Sequence, residues 1–301
     1  MSNADFWRGV LPAITTPFTA NGTVDHAFLA EHARRLVDAG CSGLVPLGSL
    51  GESATLSFEE KVAIVRTLVD AVGARVPIVA GIAALSTPEG IALAAAVKQA
   101  GAGGLMVLPP YVYSSDRHEM DAYIRAVIAS TDLPVLLYNN PIAYKTDFSP
   151  EQVAAFAAEF PHVQAIKESS GDIRRLAAIK ALLGDRLVLL VGVDDLIVEG
   201  IAMGAEGWIA GTVNAFPEEA VQLFEQARRG GYAAARELYE WSLPLLRMDT
   251  VPKFVQLIKL MQERVGLGSE RVRAPRLVVE GGERAQALQV IDHAIATRGK
   301  R

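Results

Sequence analysis

Eight short apolar runs, each followed by a turn and an amphipathic helical pattern, predict an α/β protein. The implied architecture is a (β/α)8, or TIM, barrel with additional C-terminal helices. Two further observations agree. The chain has 301 residues, enough for a barrel of roughly 250 with a tail to spare. Half of the residues are hydrophobic and few are aromatic, which suits helices packed closely on a buried parallel sheet.

The elements follow in order. Gly9 to Thr15 is the first run, and Val24-Asp25 opens a helix to Ala39. Gly40 stands where a left-handed residue ends it. Leu44 to Leu47 is the second run, followed by the loop Gly48-Ser49-Leu50-Gly51-Glu52. Ser57 and Glu60 have capping-box spacing for a helix to about Val72. Val76 to Ile82 is the third run, and Thr87-Pro88 starts a helix with proline in its first turn. Leu105 to Leu108 is the fourth, with Asp116 capping the next helix three residues before Glu119. Pro134 to Tyr138 is the fifth, and a helix starts at Ser149-Pro150. Val163 to Lys167 is the sixth, with a helix from Asp172 to Leu183. Leu187 to Val191 is the seventh, with a helix from Asp194 to Met203. Trp208 to Ala210 is the eighth, with a helix from Pro217 to Arg229. The remainder reads as three helices, Tyr232 to Leu246, Val251 to Val265 and Glu283 to Thr297. Residues 1–230 are therefore expected to form the barrel with the active site. Residues 231–301 are expected to form a helical extension packed on it.

Charge and composition exclude some functions. A net charge of −5 disfavours a nucleic-acid partner. No apolar run is long enough to span a membrane. Met1 to Arg8 lacks the basic-then-apolar order of a signal peptide. Cys41 is the single cysteine, so no intrachain disulfide forms and a reducing, cytoplasmic location is expected. The five histidines show no metal-ligand spacing, and four fall in or beside helices, where outer faces are expected. Gly101-Ala102-Gly103-Gly104 follows a helix and precedes a strand, the wrong order for a dinucleotide fingerprint. Arg271, Arg273 and Arg276 read as solvated or inter-subunit residues.

In such a barrel the active site lies at the C-terminal ends of the strands. Ser49, Tyr138, Lys167 and Gly192 then surround one mouth. Lys167 ends an apolar strand on which Val163, Ala165 and Lys167 are expected to share a face. A lysine there can snorkel to solvent. Withdrawn from water, it favours the neutral amine, a nucleophile for carbonyl carbon. Tyr138 ends the preceding run and can move protons, or it can simply anchor to backbone at the rim. The Gly48-Ser49-Leu50-Gly51 loop can turn N–H groups and a hydroxyl toward a carboxylate, or be an ordinary tight turn.

Taken together, Gly48-Ser49-Leu50-Gly51-Glu52, Tyr138-Asn139-Asn140-Pro141, Ile166-Lys167-Glu168-Ser169 and Gly192-Val193-Asp194-Asp195 make the chain resemble the dihydrodipicolinate synthase / N-acetylneuraminate lyase family over nearly its whole length. The resemblance implies a homotetrameric lyase needing no cofactor and no metal. Lys167 would form a covalent Schiff base with a 2-oxo acid, Tyr138 would relay protons, and Ser49 would assist. Gly48, Ser49 and the backbone at Leu50 would receive the substrate carboxylate, with Gly192 and the Ile209 carbonyl lining the pocket. Asn140 and Tyr144 are candidate contacts for a substrate hydroxyl.

Departures from the family pattern narrow the expectation. Leu50 stands where a second hydroxyl residue is usual, Val112 where the synthase has a relay tyrosine, and Ala143 where it has an arginine. Gly211 replaces a polar residue expected of sialic acid lyases. The motifs are most similar to the branch acting on 1-pyrroline-4-hydroxy-2-carboxylate, a cyclic imine. That branch dehydrates and deaminates it to 2,5-dioxopentanoate and ammonia in hydroxyproline breakdown. The alternatives are a 2-keto-3-deoxy sugar-acid dehydratase or aldolase, a 4-hydroxy-tetrahydrodipicolinate synthase, and a non-catalytic 2-oxo acid sensor.

Overall fold

The computed structural model describes residues 5–110 and 116–299. Val112 lies outside them. Seven strands run parallel: β1 Gly9–Pro12, β2 Val79–Ile82, β3 Gly104–Val107, β4 Val135–Asn139, β5 Val163–Glu168, β6 Val188–Val191 and β7 Gly207–Ala210. Their order is β1-β7-β6-β5-β4-β3-β2. Leu44 to Leu47 fills the gap between β1 and β2. Val45 N donates to Pro12 O at 2.8 Å, and Val79 N donates to Leu44 O at 2.9 Å. Parallel bridges Ala13–Val45 and Leu44–Ile78 close the ring.

The second run thus completes the barrel without becoming a regular strand, and its sequence explains why. Pro46 has no N–H to give to the ladder. Leu47 turns to φ 65 at the mouth, where the chain leaves for the Ser49 loop. Gly81 accommodates that turn, because a Cβ there would lie 2.6 Å from Leu47 O.

Strand side chains divide as a period of two requires. Leu11, Met106, Leu136, Ala165, Leu190 and Ile209 pack inside the ring. Val10, Val107, Leu137, Ile166 and Val191 pack outward against helices. Val163 departs from the expected face and joins the outer cluster. The cause is a register shift between Val135 and Leu136, whose partners are Val163 and Ala165. Gln164 is the extra residue of this bulge, and it accepts a hydrogen bond from Trp7 Nε1 at 3.1 Å. The bulge resets the phase that brings Ala165 and Lys167 inward.

The helices are α1 His26–Asp38, α2 Phe58–Val72, α3 Thr87–Gln99, α4 Arg117–Ala129, α5 Pro141–Tyr144, α6 Pro150–Glu159, α7 Arg174–Leu183, α8 Ile197–Ala202, α9 Pro217–Leu246, α10 Phe254–Arg264 and α11 Gly281–Thr297. The capping boxes at Ser57–Glu60 and Asp116–Glu119 are both formed. Three helices start later than their sequences suggest, one of them α10, which begins at Phe254 rather than Val251. Asp172 accepts the Arg174 N–H and holds a turn before α7. Asp194 is drawn away to bond the loop after β7, leaving a 3-10 turn before α8. The two expected helices either side of residues 230–231 are nearly continuous in α9, broken at Gly231, φ 64.

The tail is held to the barrel by an apolar cluster including Leu50, Phe216, Leu257, Ile258 and Ile291. Buried polar contacts add direction to it. Lys259 on α10 donates to Glu52 Oε1 at 2.5 Å, and both side chains are out of water. Arg273 is an internal clamp rather than a solvated residue, bonding Glu60, Thr55 O and Gly22 O.

His32 also departs from expectation, since it is buried rather than on an outer helix face. Its Nε2 lies 3.2 Å from Asn214 Oδ1, and no described group bonds its Nδ1. Burial pulls its pKa down from 6.5 to about 4, with Asn214 opposing and Arg35 assisting. The folded protein therefore refuses a proton that the unfolded chain accepts. Stability from this residue is complete above about pH 6.5 and is lost as pH falls toward 4. The loss is at most about 3 kcal/mol. Urea unfolding at pH 7 and pH 4 checks it: the wild type should lose more stability than His32→Gln over that interval.

Candidate active site

A cavity of about 470 Å³ opens at the C-terminal ends of the strands. Gly48, Ser49, Leu50, Tyr138, Asn140, Tyr144, Lys167, Gly192 and Ile209 all line it. The candidate catalytic and substrate-binding residues are thus brought to one place. A trough of about 610 Å³ along α9, between Gln222 and Glu237, is larger but polar. No nucleophile and base converge there.

Lys167 and Tyr138 are register partners on β5 and β4. Both are largely buried, and the Lys167 Nζ lies 4.1 Å from the Tyr138 ring centre. The residues that follow them turn outward and lock the two strand ends. Asn139 Nδ2 donates to Glu168 Oε2 at 3.2 Å, and Arg175 Nε donates to the same carboxylate at 3.2 Å. Asn139 Oδ1 accepts from Phe148 N at 2.9 Å. The second residues of the Tyr-Asn and Lys-Glu pairs are therefore braces. Their contribution is to hold the first residues in place.

The hydroxyl network differs in detail from the expected pairing. Ser49 hydrogen-bonds the Tyr144 hydroxyl, while Asn140 Nδ2 donates to the Tyr138 oxygen at 3.0 Å. The Tyr138 and Tyr144 rings meet edge to face with centroids 5.8 Å apart. Gly192 is required by space. A Cβ there would overlap Lys167 Cε and lie 2.7 Å from its Cγ. The buried Ser169 hydroxyl beside Gly192 has no partner among the described residues, so it is available to a bound ligand.

The structure adds residues that the sequence did not single out. Asp249, Val251, Pro252 and Phe254 form one wall, contributed by the tail. Asp249 is half-buried and faces the cavity. Burial, and next the charge of Asp194, push its carboxyl well above the usual carboxylate range, while Lys167 opposes the rise and Asp195 adds to it. Asp194 accepts from Trp208 Nε1, Gly211 N, Thr212 N and Thr212 Oγ1. No local motif marks Asp249, because its position depends on how the tail folds back.

Cys41 is excluded as a nucleophile: burial pushes its thiol up to about 12, and it lies outside the cavity. Among the described residues no group of three His, Cys, Asp or Glu side chains could hold a metal ion. No described helix is long and apolar enough to cross a membrane.

Fold and site together define a (β/α)8 barrel with a buried lysine and tyrosine at its mouth, the arrangement of a carbonyl-trapping lyase. The chain belongs to the dihydrodipicolinate synthetase family, whose profile matches residues 6–294. It is 35% identical over 295 residues to the 4-hydroxy-tetrahydrodipicolinate synthase of Hyphomonas neptunium, covering 97% of this chain and 99% of that one. The enzyme of the same name from Methanopyrus kandleri is 33% identical over 269 residues, covering 89% and 90%. A solved structure of YagE, an Escherichia coli K12 prophage protein of the dihydrodipicolinic acid synthase family in complex with pyruvate, superposes with a TM-score of 0.89. It is 29% identical, and the match covers 96% of this chain and 98% of that one.

Proposed function

We propose that Lys167 forms a Schiff base with C2 of a small 2-oxo acid or cyclic imine, and that the substrate is 1-pyrroline-4-hydroxy-2-carboxylate. The observation that carries this reading is the charge lining the cavity. Lys167 is the one cationic side chain among its described residues, and Ala143 lies in the wall where an arginine would recognise a second carboxylate. The remaining wall is largely apolar: Ala13, Leu50, Met106, Ile142, Val251 and Phe254. Such a site suits one small monocarboxylate.

In this reading the Ser49 hydroxyl and the Leu50 N–H receive the carboxylate. Lys167, as the free amine, adds to C2 and the ring opens by transimination, leaving an amino group on C5. The iminium acidifies C3, and the C3 proton passes to the Tyr138 oxygen, which has given its own proton to the departing ring nitrogen. The resulting enamine expels the C4 hydroxyl. Tautomerisation and hydrolysis then give ammonia, 2,5-dioxopentanoate and free Lys167. Assembly as a homotetramer is part of the same proposal.

The names of the relatives favour a second reading, 4-hydroxy-tetrahydrodipicolinate synthase. That enzyme condenses pyruvate with an aldehyde bearing its own carboxylate and ammonium, and the apolar wall beside Ala143 offers that carboxylate no cation. One assay pair separates the readings. The expected result is ammonia released from the cyclic imine and no pyruvate-dependent consumption of aspartate semialdehyde. The reverse result would replace the first reading by the second.

A further inference from the structure

The space at Gly211 is not empty. A Cβ there would overlap Asp249 Oδ1 and lie 2.9 Å from Asp249 Cγ and 3.3 Å from Leu50 Cδ2. A carboxyl group from the tail thus occupies the volume that a side chain on the loop after β7 would fill. It enters the cavity that holds Lys167, and no hydrogen bond from a described residue contributes to its electrostatic surroundings.

Building on the deaminase reading, we propose that Asp249 is the general acid that delivers a proton to the hydroxyl leaving C4. The lone pair of the Lys167 nitrogen re-forms the C2–N double bond, the C2–C3 double bond shifts to C3–C4, and the C4–O bond breaks. The oxygen leaves as water with the Asp249 proton. Asp249, now a carboxylate, takes the proton that C5 loses during tautomerisation and returns to its acid form. Its position suits this role, since it faces Lys167 from another wall of the cavity, on the side of Leu50 and Gly211.

The titratable and charged groups around Asp249 are Asp194 and Asp195 from the segment before α8, Lys167 on β5, and the Tyr138 and Tyr144 phenols in the shared cavity. The two aspartates favour its protonated form and Lys167 opposes it. Only protonated Asp249 serves as the acid, so turnover should fall as pH rises through its elevated pKa.

Asp249→Asn tests the assignment. Ammonia release from 1-pyrroline-4-hydroxy-2-carboxylate is expected to fall by about 10²–10⁴-fold, the usual contribution of a general acid. The decline at rising pH that belongs to Asp249 should vanish. Borohydride trapping of pyruvate, which has no C4 leaving group, should match wild type and show that Lys167 and the fold are intact. Gly211→Ala, which crowds the Asp249 carboxyl without removing it, should give a smaller loss. Rates for Asp249→Asn within about threefold of wild type, with an unchanged pH profile, would overturn the assignment and leave the deaminase reading standing. Wild-type protein that traps pyruvate yet releases no ammonia would overturn both.

Discussion

Lys167→Ala should reduce turnover by about 10⁴-fold or more, the scale on which removal of a covalent nucleophile is felt. The reason is chemical. Ser49, Tyr138, Tyr144 and Asp249 can move protons or hold a carboxylate, but among the described cavity-lining residues only Lys167 carries an amine. Lys167→Arg should fail as badly, because a guanidinium stays protonated and does not form the imine. Both variants should still fold, since the strand ends beside Lys167 are braced by Asn139, Glu168 and Arg175. Steady-state rates with far-ultraviolet circular dichroism as the fold check decide it. A Lys167→Ala variant that is folded and retains a tenth of the activity would remove the lysine from the chemistry.

The second large effect concerns stability. Lys259→Met should destabilise the protein by about 3–5 kcal/mol, the cost of leaving one member of a buried ion pair without its partner. Glu52 is fully buried. It would keep the Arg273 N–H at 3.0 Å and the more distant Arg276, 3.8 Å away, but lose the one ammonium in contact with it. Burial lowers the Lys259 pKa, with the attraction of Glu52 opposing, so the pair is held in a costly environment. Adding Glu52→Gln removes the stranded charge and should recover part of the loss. Urea midpoints of the two single variants and the double variant measure this coupling. A loss below about 1 kcal/mol in Lys259→Met would mean that the pair behaves like an exposed one.

The barrel was legible because strands and helices alternate and several helix starts carry explicit caps, as at Ser57 and Asp116. Local chemistry also governed the exceptions. Pro46 and the left-handed Leu47 stop the second run from forming a full ladder, although they leave its place in the ring unchanged. The reversal at Val163 was not legible. A bulge at Gln164 depends on which residues of β4 stand opposite, and no pattern within β5 reveals it.

The candidate site divides in the same way. Lys167, Tyr138 and Ser49 lie on strand ends and on the loop after a run, where barrel geometry predicts a common mouth. Asp249 and Lys259 act across long sequence distances through the fold of the tail. Asp249 sits in a stretch that reads only as the approach to a helix. Gly211 looked like a missing polar group, and the structure shows a carboxyl from elsewhere in that space. A residue supplied from a distant segment leaves no signature where it acts.

Attack of Lys167 on a 2-oxo carbon is the step on which the whole mechanism depends, and covalent trapping measures it directly. Wild-type protein is incubated with pyruvate, treated with sodium borohydride, digested and analysed by mass spectrometry. The predicted result is one reduced pyruvate adduct per chain, on the peptide carrying Lys167, and none in Lys167→Ala. An unmodified mass for folded wild-type protein, or an adduct on another lysine with Lys167 untouched, would contradict it.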